Sequence, residues 1–170
     1  DDGQGTAQLL GVRPDGGDHR GGQDRAVDGP GDLVRPVLGL PQLRVVDVPR
    51  LIAWYDGGTA LPHPVLSDAR TALSAYYRPE LGEPFVTAGM CLYRDGADSV
   101  AWHGDDSGRG ATTDTMVAIV SLGSPRTLAL RPRGGGRRVA FSLGHGDLLV
   151  MGGSCQRTWE HAVPKTARAV

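Results

Sequence analysis

The chain has 170 residues, a length that fits one ordinary domain and leaves no room for a second full one. Its formal net charge of −1 argues against a strongly basic protein that binds nucleic acid by charge alone, although a local basic patch is compatible with a neutral total. Two cysteines, Cys91 and Cys155, are too few for a disulfide framework, and no stretch approaches the roughly 18 consecutive apolar residues that a membrane span needs.

The first 44 residues differ in composition from the rest of the chain. About ten of the 26 glycines lie here, alternating with Asp and Arg, and neither a helical nor a strand period lasts more than a few residues. Such a segment cannot bury enough apolar surface to fold alone. We therefore expect residues 1–44 to be disordered or outside the native reading frame, and the folded domain to span residues 45–170.

From residue 45 the sequence predicts two short strands, a helix and then a series of strands. Runs of β-branched and aromatic residues predict strands at 45–48 and 51–55. Val65, Leu66, Ala69, Leu73 and Tyr76 fall at helical spacing and predict one amphipathic helix, closed by Tyr77 and Pro79. Seven further strands are expected at 85–93, 99–103, 115–122, 126–131, 138–143, 147–151 and 158–162, separated by turn-forming residues. This pattern indicates a mainly β fold with a flanking helix, of the double-stranded β-helix or jelly-roll type.

Three residues in the strand-rich part form a candidate metal site. His103 and Asp105 are two positions apart, so both side chains leave one face of an extended strand, and His161 lies on a later segment that a jelly roll can bring alongside. Two imidazoles and one carboxylate are the facial triad of non-haem iron(II) oxygenases, which leaves coordination positions vacant. The sequence alone leaves open the alternative that these are three unconnected surface residues.

A second His-Gly-Asp sequence, at His145 to Asp147, needs a different interpretation. It occupies a glycine-flanked turn directly before the apolar run at 148–150, where a polar turn is needed for structural reasons. The first pair instead follows an alternating strand and opens a polar loop, the kind of segment that supplies functional residues. We therefore interpret the second pair as structural and the first as metal-binding.

The chain resembles AlkB-type dioxygenases over residues 84–165. The resemblance rests on motifs that occur in order: Tyr93-Arg94-Asp95-Gly96, the segment from Asp98 to Asp105, Val120-Ser121-Leu122-Gly123, the turn and strand from His145 to Gly153, and Trp159-Glu160-His161. It implies a jelly-roll core, iron(II) held by His103, Asp105 and His161, and 2-oxoglutarate bound in part by the Tyr93 hydroxyl. The implied reaction hydroxylates an N-alkyl carbon of a nucleic-acid base, which then leaves as an aldehyde, with succinate and carbon dioxide released.

Residues next to the metal pair are candidates for substrate binding. A damaged base must leave its stack to reach an enclosed oxidant, and it then needs planar walls. Trp102 is the candidate wall, although a regular strand would point it away from His103 and into packing. Asp106 and Ser107 are candidates for contacts to base edges or are ordinary loop residues. The arginines at 131–138, supported by Arg94, Arg109 and Arg126, suit phosphate contacts or an ordinary hairpin.

The sequence departs from the AlkB pattern at two places. Cys91 stands at the cofactor-binding position where the family usually has an Asn, and the chain stops at Val170, before the strand whose Arg holds the distal carboxylate of 2-oxoglutarate. We expect a domain that is incomplete at its C-terminus and that has an unpaired sheet edge. Without its bidentate partner, the cosubstrate should bind more weakly by roughly 2–5 kcal/mol.

The leading hypothesis is therefore oxidative dealkylation of alkylated DNA, single-stranded or with the base flipped out, with RNA as an open alternative. We expect a cytoplasmic monomer with no membrane contact. Two other functions stay open: a non-catalytic jelly-roll module, and a 2-oxoglutarate oxygenase that acts on a small molecule or a protein.

Overall fold

The structure, a computed structural model, describes residues 6–10, 50–105 and 108–167. Along the chain these contain β1 (Thr6–Leu10), β2 (Leu51–Tyr55), α1 (Pro64–Leu81), β3 (Ala88–Tyr93), β4 (Val100–His103), a 3₁₀ turn (Gly108–Ala111), β5 (Val117–Leu122), β6 (Arg126–Pro132), β7 (Val139–Leu143), β8 (Leu148–Met151), α2 (Cys155–Thr158) and β9 (Trp159–Val163). The predicted strand at 51–55 and the seven predicted strands after residue 84 are confirmed, with ends that differ by a few residues.

The strands form two antiparallel sheets, as the jelly-roll prediction requires. One sheet has the order β2-β3-β1-β5-β8 and the other the order β4-β9-β6-β7. Apolar side chains from both sheets meet between them, where Tyr93, Ile119, Leu128 and Val163 are almost fully buried. Because successive residues of a strand point to opposite faces, the alternation seen in the sequence places these residues on the inner faces.

Helix α1 covers the outer face of the five-stranded sheet. Its residues Leu66, Leu73, Tyr77 and Leu81 pack against a second apolar cluster that contains Phe85 and Ala118. The helix begins after His63, whose Nδ1 accepts a hydrogen bond from the amide of Val65.

Neither of the two helices in the described residues is long and apolar enough to cross a membrane.

The predicted helix was wrong in two details. It continues past Pro79 to Leu81 and ends where Gly82 adopts a left-handed conformation with φ 78°. Tyr76 and Val65, which the spacing placed on the apolar face, are 76% and 60% exposed. A proline in the last turn removes only one backbone hydrogen bond, so it need not end the helix.

Two elements were not predicted from the sequence. Strand β1 lies inside the segment for which no regular structure was expected, and it pairs with β3 on one side and with β5 on the other. Helix α2 is a single turn between β8 and β9. Both depend on neighbours far away in the chain, which local periodicity does not reveal. The remaining residues of the 1–44 segment and the predicted strand at 45–48 lie outside the described residues.

Arg126 ties together the loops at one end of the two sheets. Its side chain is only 2% exposed and donates hydrogen bonds to the backbone carbonyls of Asp95, Asp98 and Pro164 at 2.7–3.1 Å. The sequence-based suggestion that Arg126 supports phosphate binding is therefore wrong, because a buried guanidinium with three carbonyl partners does not face solvent. The Arg94 side chain closes the same loop through an ion pair with Asp98 at 2.8 Å.

Candidate functional site

A bulge in β4 turns His103 toward the inner face of the four-stranded sheet. Val100 pairs with Val163 and His103 pairs with His161, so three steps along β4 match two along β9. The extra residue breaks the alternation of faces, and bulges of this kind re-aim side chains near functional sites. The rings of His103 and His161 consequently lie with centroids 4.2 Å apart.

The His103 ring is held in the orientation that a metal ligand needs. Its Nδ1 lies 2.8 Å from the carbonyl oxygen of Ala101. A carbonyl can only accept, so Nδ1 donates the hydrogen bond and the neutral ring keeps its lone pair on Nε2. Backbone contacts of this type fix the tautomer of metal-binding histidines.

Asp105 lies just beyond the end of β4 and is held by a residue 51 positions later. Its backbone amide donates a hydrogen bond of 3.1 Å to Oε1 of Gln156, an almost fully buried residue of α2. Oδ2 of Asp105 lies 3.7 Å from Nε2 of His161. The sequence argument placed Asp105 on an extended strand, but β4 ends at His103. The hydrogen bond to Gln156, rather than strand geometry, therefore positions Asp105.

Candidate ligand atoms of His103, Asp105 and His161 all lie within 4.8 Å of one another. Two imidazoles and a carboxylate suit a divalent first-row transition metal, and three protein ligands leave vacant positions for other molecules. His161 is 2% exposed, so the cluster is shielded from water on the β9 side. The donor set and its spacing therefore fit one metal ion.

Gly104, which lies between His103 and Asp105, allows the connection between β6 and β7 to approach closely. A methyl group built on Gly104 would overlap the guanidinium of Arg133 and lie 2.7 Å from the carbonyl oxygen of Gln156. Arg133 also donates a hydrogen bond of 3.3 Å to that carbonyl. The absence of a side chain at position 104 thus brings three segments together beside the cluster.

Tyr93 and Cys91, the predicted cosubstrate-binding residues, lie on the inner face of β3. Both are almost fully buried, and the Tyr93 hydroxyl has no hydrogen-bond partner among the described residues. Burial raises the pKa of both groups, so both stay protonated at neutral pH. A buried hydroxyl without a partner costs free energy, and a bound ligand would remove that cost.

The sequence reasoning missed Arg50 next to these two residues. Burial raises the pKa of the Cys91 thiol, and the nearby positive charge of the Arg50 guanidinium lowers it in part. Arg50 belongs to no sequence motif, because only the pairing of β2 with β3 brings it beside Tyr93.

The structure places Trp102 on the opposite face of the four-stranded sheet from the metal cluster. Its ring stacks with the guanidinium of Arg131, 4.4 Å from the ring centroid, and with that of Arg138 at 5.5 Å. Arg131 in turn pairs with Glu160, the neighbour of His161 on the outer face. This position agrees with the packing interpretation of Trp102. It also engages two of the arginines suggested for phosphate binding.

Of the other residues singled out from the sequence, some lie outside the described part of the structure and some form a turn away from the metal cluster. Asp106 and Ser107, proposed for base contacts, and the Arg109 side chain lie outside the described part of the structure. In the second His-Gly-Asp sequence, His145 accepts a hydrogen bond from the amide of Gly123 and Asp147 accepts one from Gly144. These are turn-forming contacts, and neither residue belongs to the metal cluster.

Comparisons with known proteins agree with this geometry. The chain matches the 2OG-Fe(II) oxygenase superfamily over residues 56–170. It is 34% identical over 133 residues to the alpha-ketoglutarate-dependent dioxygenase alkB homolog 3 of Rattus norvegicus, and the match covers 69% of this chain and 45% of that protein. The identity to the Homo sapiens alkB homolog 3 is also 34%, and that match covers 69% of this chain and 46% of the human protein. It is 32% identical over 120 residues to the DNA oxidative demethylase ALKBH2 of Arabidopsis thaliana, with 57% and 38% covered. The chain spans about half the length of the alkB homolog 3 proteins that it matches.

Proposed function

Because the chain belongs to the 2OG-Fe(II) oxygenase superfamily, we propose that His103, Asp105 and His161 hold iron(II) and that the protein removes alkyl groups oxidatively from nucleic-acid bases. The observation that carries this proposal is the meeting of two imidazoles and one carboxylate from two segments, the end of β4 and strand β9. Relatives named as alkB homolog 3 and as a DNA oxidative demethylase support a nucleic acid as the substrate.

The residues of this chain fit the chemistry of that reaction. When bound, iron(II) and 2-oxoglutarate activate dioxygen so that a C–H bond of the alkyl group is hydroxylated, with succinate and carbon dioxide formed. His103 presents Nε2, and the buried Tyr93 hydroxyl offers a hydrogen bond to an oxygen of the cosubstrate. His161 is almost fully buried, which keeps water from one side of the site. Exclusion of water protects a strong oxidant from side reactions.

A formaldehyde assay tests the proposal. The protein is incubated with iron(II), 2-oxoglutarate and an oligonucleotide that carries an N-methylated base, and formaldehyde and succinate are both measured. We expect equal amounts of the two products, and a loss of at least about 100-fold in rate for His103→Ala because one ligand of three is gone. The matched control is His145→Ala, in the second His-Gly-Asp sequence, whose rate should stay within about twofold of the unsubstituted protein.

The alternatives predict other results. Succinate without formaldehyde, together with oxidation of a small molecule or protein, would indicate an oxygenase with a different substrate. Formation of neither succinate nor formaldehyde by the unsubstituted protein, whether or not it binds iron(II), would indicate a non-catalytic module. Activity of His103→Ala equal to that of the His145→Ala control would refute the ligand assignment.

We further propose a single-stranded or flipped base as the substrate, and a monomer located in the cytoplasm. Extrusion of a base costs least when it is not paired, so single-stranded DNA should react faster than a duplex. Methylated RNA of the same sequence tests the alternative polymer. The two cysteines, Cys91 and Cys155, are both free, which agrees with a reducing compartment. Cell fractionation and light scattering test location and oligomeric state.

A further inference from the structure

The 3₁₀ turn that follows β4 folds back against the backbone of Asp105. A methyl group built on Gly110 of this turn would lie 2.9 Å from the carbonyl oxygen of Asp105. The amide of Asp105 donates its hydrogen bond to Gln156 of α2. Because β4 ends at His103, the position of Asp105 depends on the turn and on α2 rather than on strand pairing.

Two contacts fasten the 108–115 segment, which begins with this turn, to α2 and the residues just before it. The Arg157 guanidinium of α2 forms an ion pair with the Asp114 carboxylate. The amide of Thr115 donates a hydrogen bond of 3.2 Å to the carbonyl oxygen of Gly153. The 3₁₀ turn also packs against α2 itself. Helix α2 therefore holds the segment that lies against Asp105 as well as the amide of Asp105.

Asp114 is the charged partner that the structure gives to Arg157. The Arg157 side chain is 27% exposed and that of Asp114 is 66% exposed. Nη1 of Arg157 is buried and has no hydrogen-bond partner among the described residues. Partial burial disfavours the guanidinium charge unless a carboxylate lies nearby. The pair is thus better shielded from water than a fully exposed ion pair, which contributes little.

Helix α2 leads directly into the strand that carries the other metal ligand. It ends at Thr158, and β9 begins at the next residue and contains His161. Oδ2 of Asp105 lies 3.7 Å from Nε2 of His161. A displacement of the 108–115 segment on α2 would therefore change the distance between two candidate ligand atoms.

We propose that Arg157 and Asp114 are positioning residues for the metal site. Their ion pair fastens the 108–115 segment to α2, and this segment in turn holds Asp105 at the distance from His161 that a shared metal ion needs. The inference rests on the proposed function and adds two residues to it. Partners that orient metal ligands change metal affinity by about 10- to 100-fold, and a pair that acts through one intervening segment should have an effect of about five- to tenfold.

Metal binding by charge-reversed variants tests the proposal. The Kd of manganese(II) is measured for Arg157→Asp, for Asp114→Arg and for the variant that carries both substitutions. We expect each single substitution to raise the Kd at least about fivefold, because two like charges then face each other. The double variant should recover to within about twofold of the unsubstituted protein, because the two substitutions are coupled.

The matched control is a second Arg–Asp pair at the other end of β4. Asp98 lies just before β4 begins and pairs with Arg94, whereas Asp105 lies just after β4 ends. Arg94→Met should therefore leave the Kd of manganese(II) within about twofold, even though it removes an ion pair of the same kind.

Spectroscopy separates a positioning role from a general loss of stability. The visible absorption of the cobalt(II)-loaded protein reports the ligands and geometry around the metal. Asp114→Asn changes an exposed side chain without adding volume, so it keeps the proposal testable if the charge-reversed variants do not fold. It should change the cobalt(II) spectrum and raise the Kd of manganese(II) at least about threefold, whereas Arg94→Met should alter neither.

The proposal and the proposed function can fail separately. A double variant that binds manganese(II) no better than the single variants would overturn the role of the pair. The same conclusion would follow if Asp114→Asn had the affinity and the spectrum of the unsubstituted protein. If the unsubstituted protein does not bind manganese(II), the proposed function itself fails.

Discussion

Replacing Gly104 by Ala tests whether the close approach at this residue holds the metal cluster together. The added methyl group would lie 2.7 Å from the carbonyl oxygen of Gln156 and would overlap the Arg133 guanidinium. Ordinary carbon–oxygen contacts are about 3.3–3.6 Å, so backbone must move by roughly 0.6 Å. The arginine can swing away, but the carbonyl belongs to α2, which also holds Asp105 through the Gln156 side chain.

Gly144→Ala is a matched control for this substitution. Neither glycine has a positive φ. At Gly144 the nearest atoms to an added methyl group would be 3.6 Å and 3.9 Å away, which is ordinary contact. An alanine that fits stabilises a protein by about 0.4–1 kcal/mol, because it restricts the unfolded chain. Overpacking instead destabilises by about 1–3 kcal/mol.

We therefore expect the two alanine variants to shift the free energy of unfolding in opposite directions, as measured by urea denaturation of the metal-free protein. Displacement of Asp105 should also weaken manganese(II) binding by about 10- to 100-fold in Gly104→Ala, whereas Gly144→Ala should bind it normally. If Gly104→Ala matched Gly144→Ala in both stability and metal affinity, the packing of Arg133 and α2 against position 104 would be wrong.

Three other predictions follow from single contacts. Gln156→Leu removes the acceptor for the Asp105 amide and should raise the Kd of manganese(II) about tenfold, whereas Gln156→Glu should retain more affinity. An unchanged Kd in the leucine variant would show that Gln156 does not position Asp105. Arg126→Met should lower the free energy of unfolding by at least about 3 kcal/mol, since three hydrogen bonds to a charged group are lost. The control is Arg137→Met at an exposed site, and equal urea midpoints for the two variants would contradict the prediction. The ion pair with Arg94 holds the pKa of Asp98 below its ordinary value, so its stabilisation is present above about pH 4 and is lost as pH falls through the folded-state pKa. The stability difference between the protein and Asp98→Asn should accordingly shrink on acidification, and a difference independent of pH would argue against the pair.

The choice between the two His-Gly-Asp sequences could be made before the structure was known. A glycine-flanked turn before an apolar strand needs polar groups that bond to backbone amides, and the structure has His145 and Asp147 making such bonds. The placement of Trp102 away from the metal ligands also agrees with expectation. The reason differs, because β4 is bulged rather than regular between Val100 and His103.

The sequence by itself determined the mainly β architecture and the flanking helix, because alternation and turn chemistry are local properties. It nominated His103, Asp105 and His161, and the resemblance to AlkB-type dioxygenases favoured them as one site. Only the tertiary structure decided what surrounds them. The bulge that turns His103 inward, the reach of Gln156 to Asp105 and the position of Arg50 opposite Tyr93 all depend on strand register. Register is set by packing and pairing between distant segments, and a shift of one residue would send every side chain to the other face.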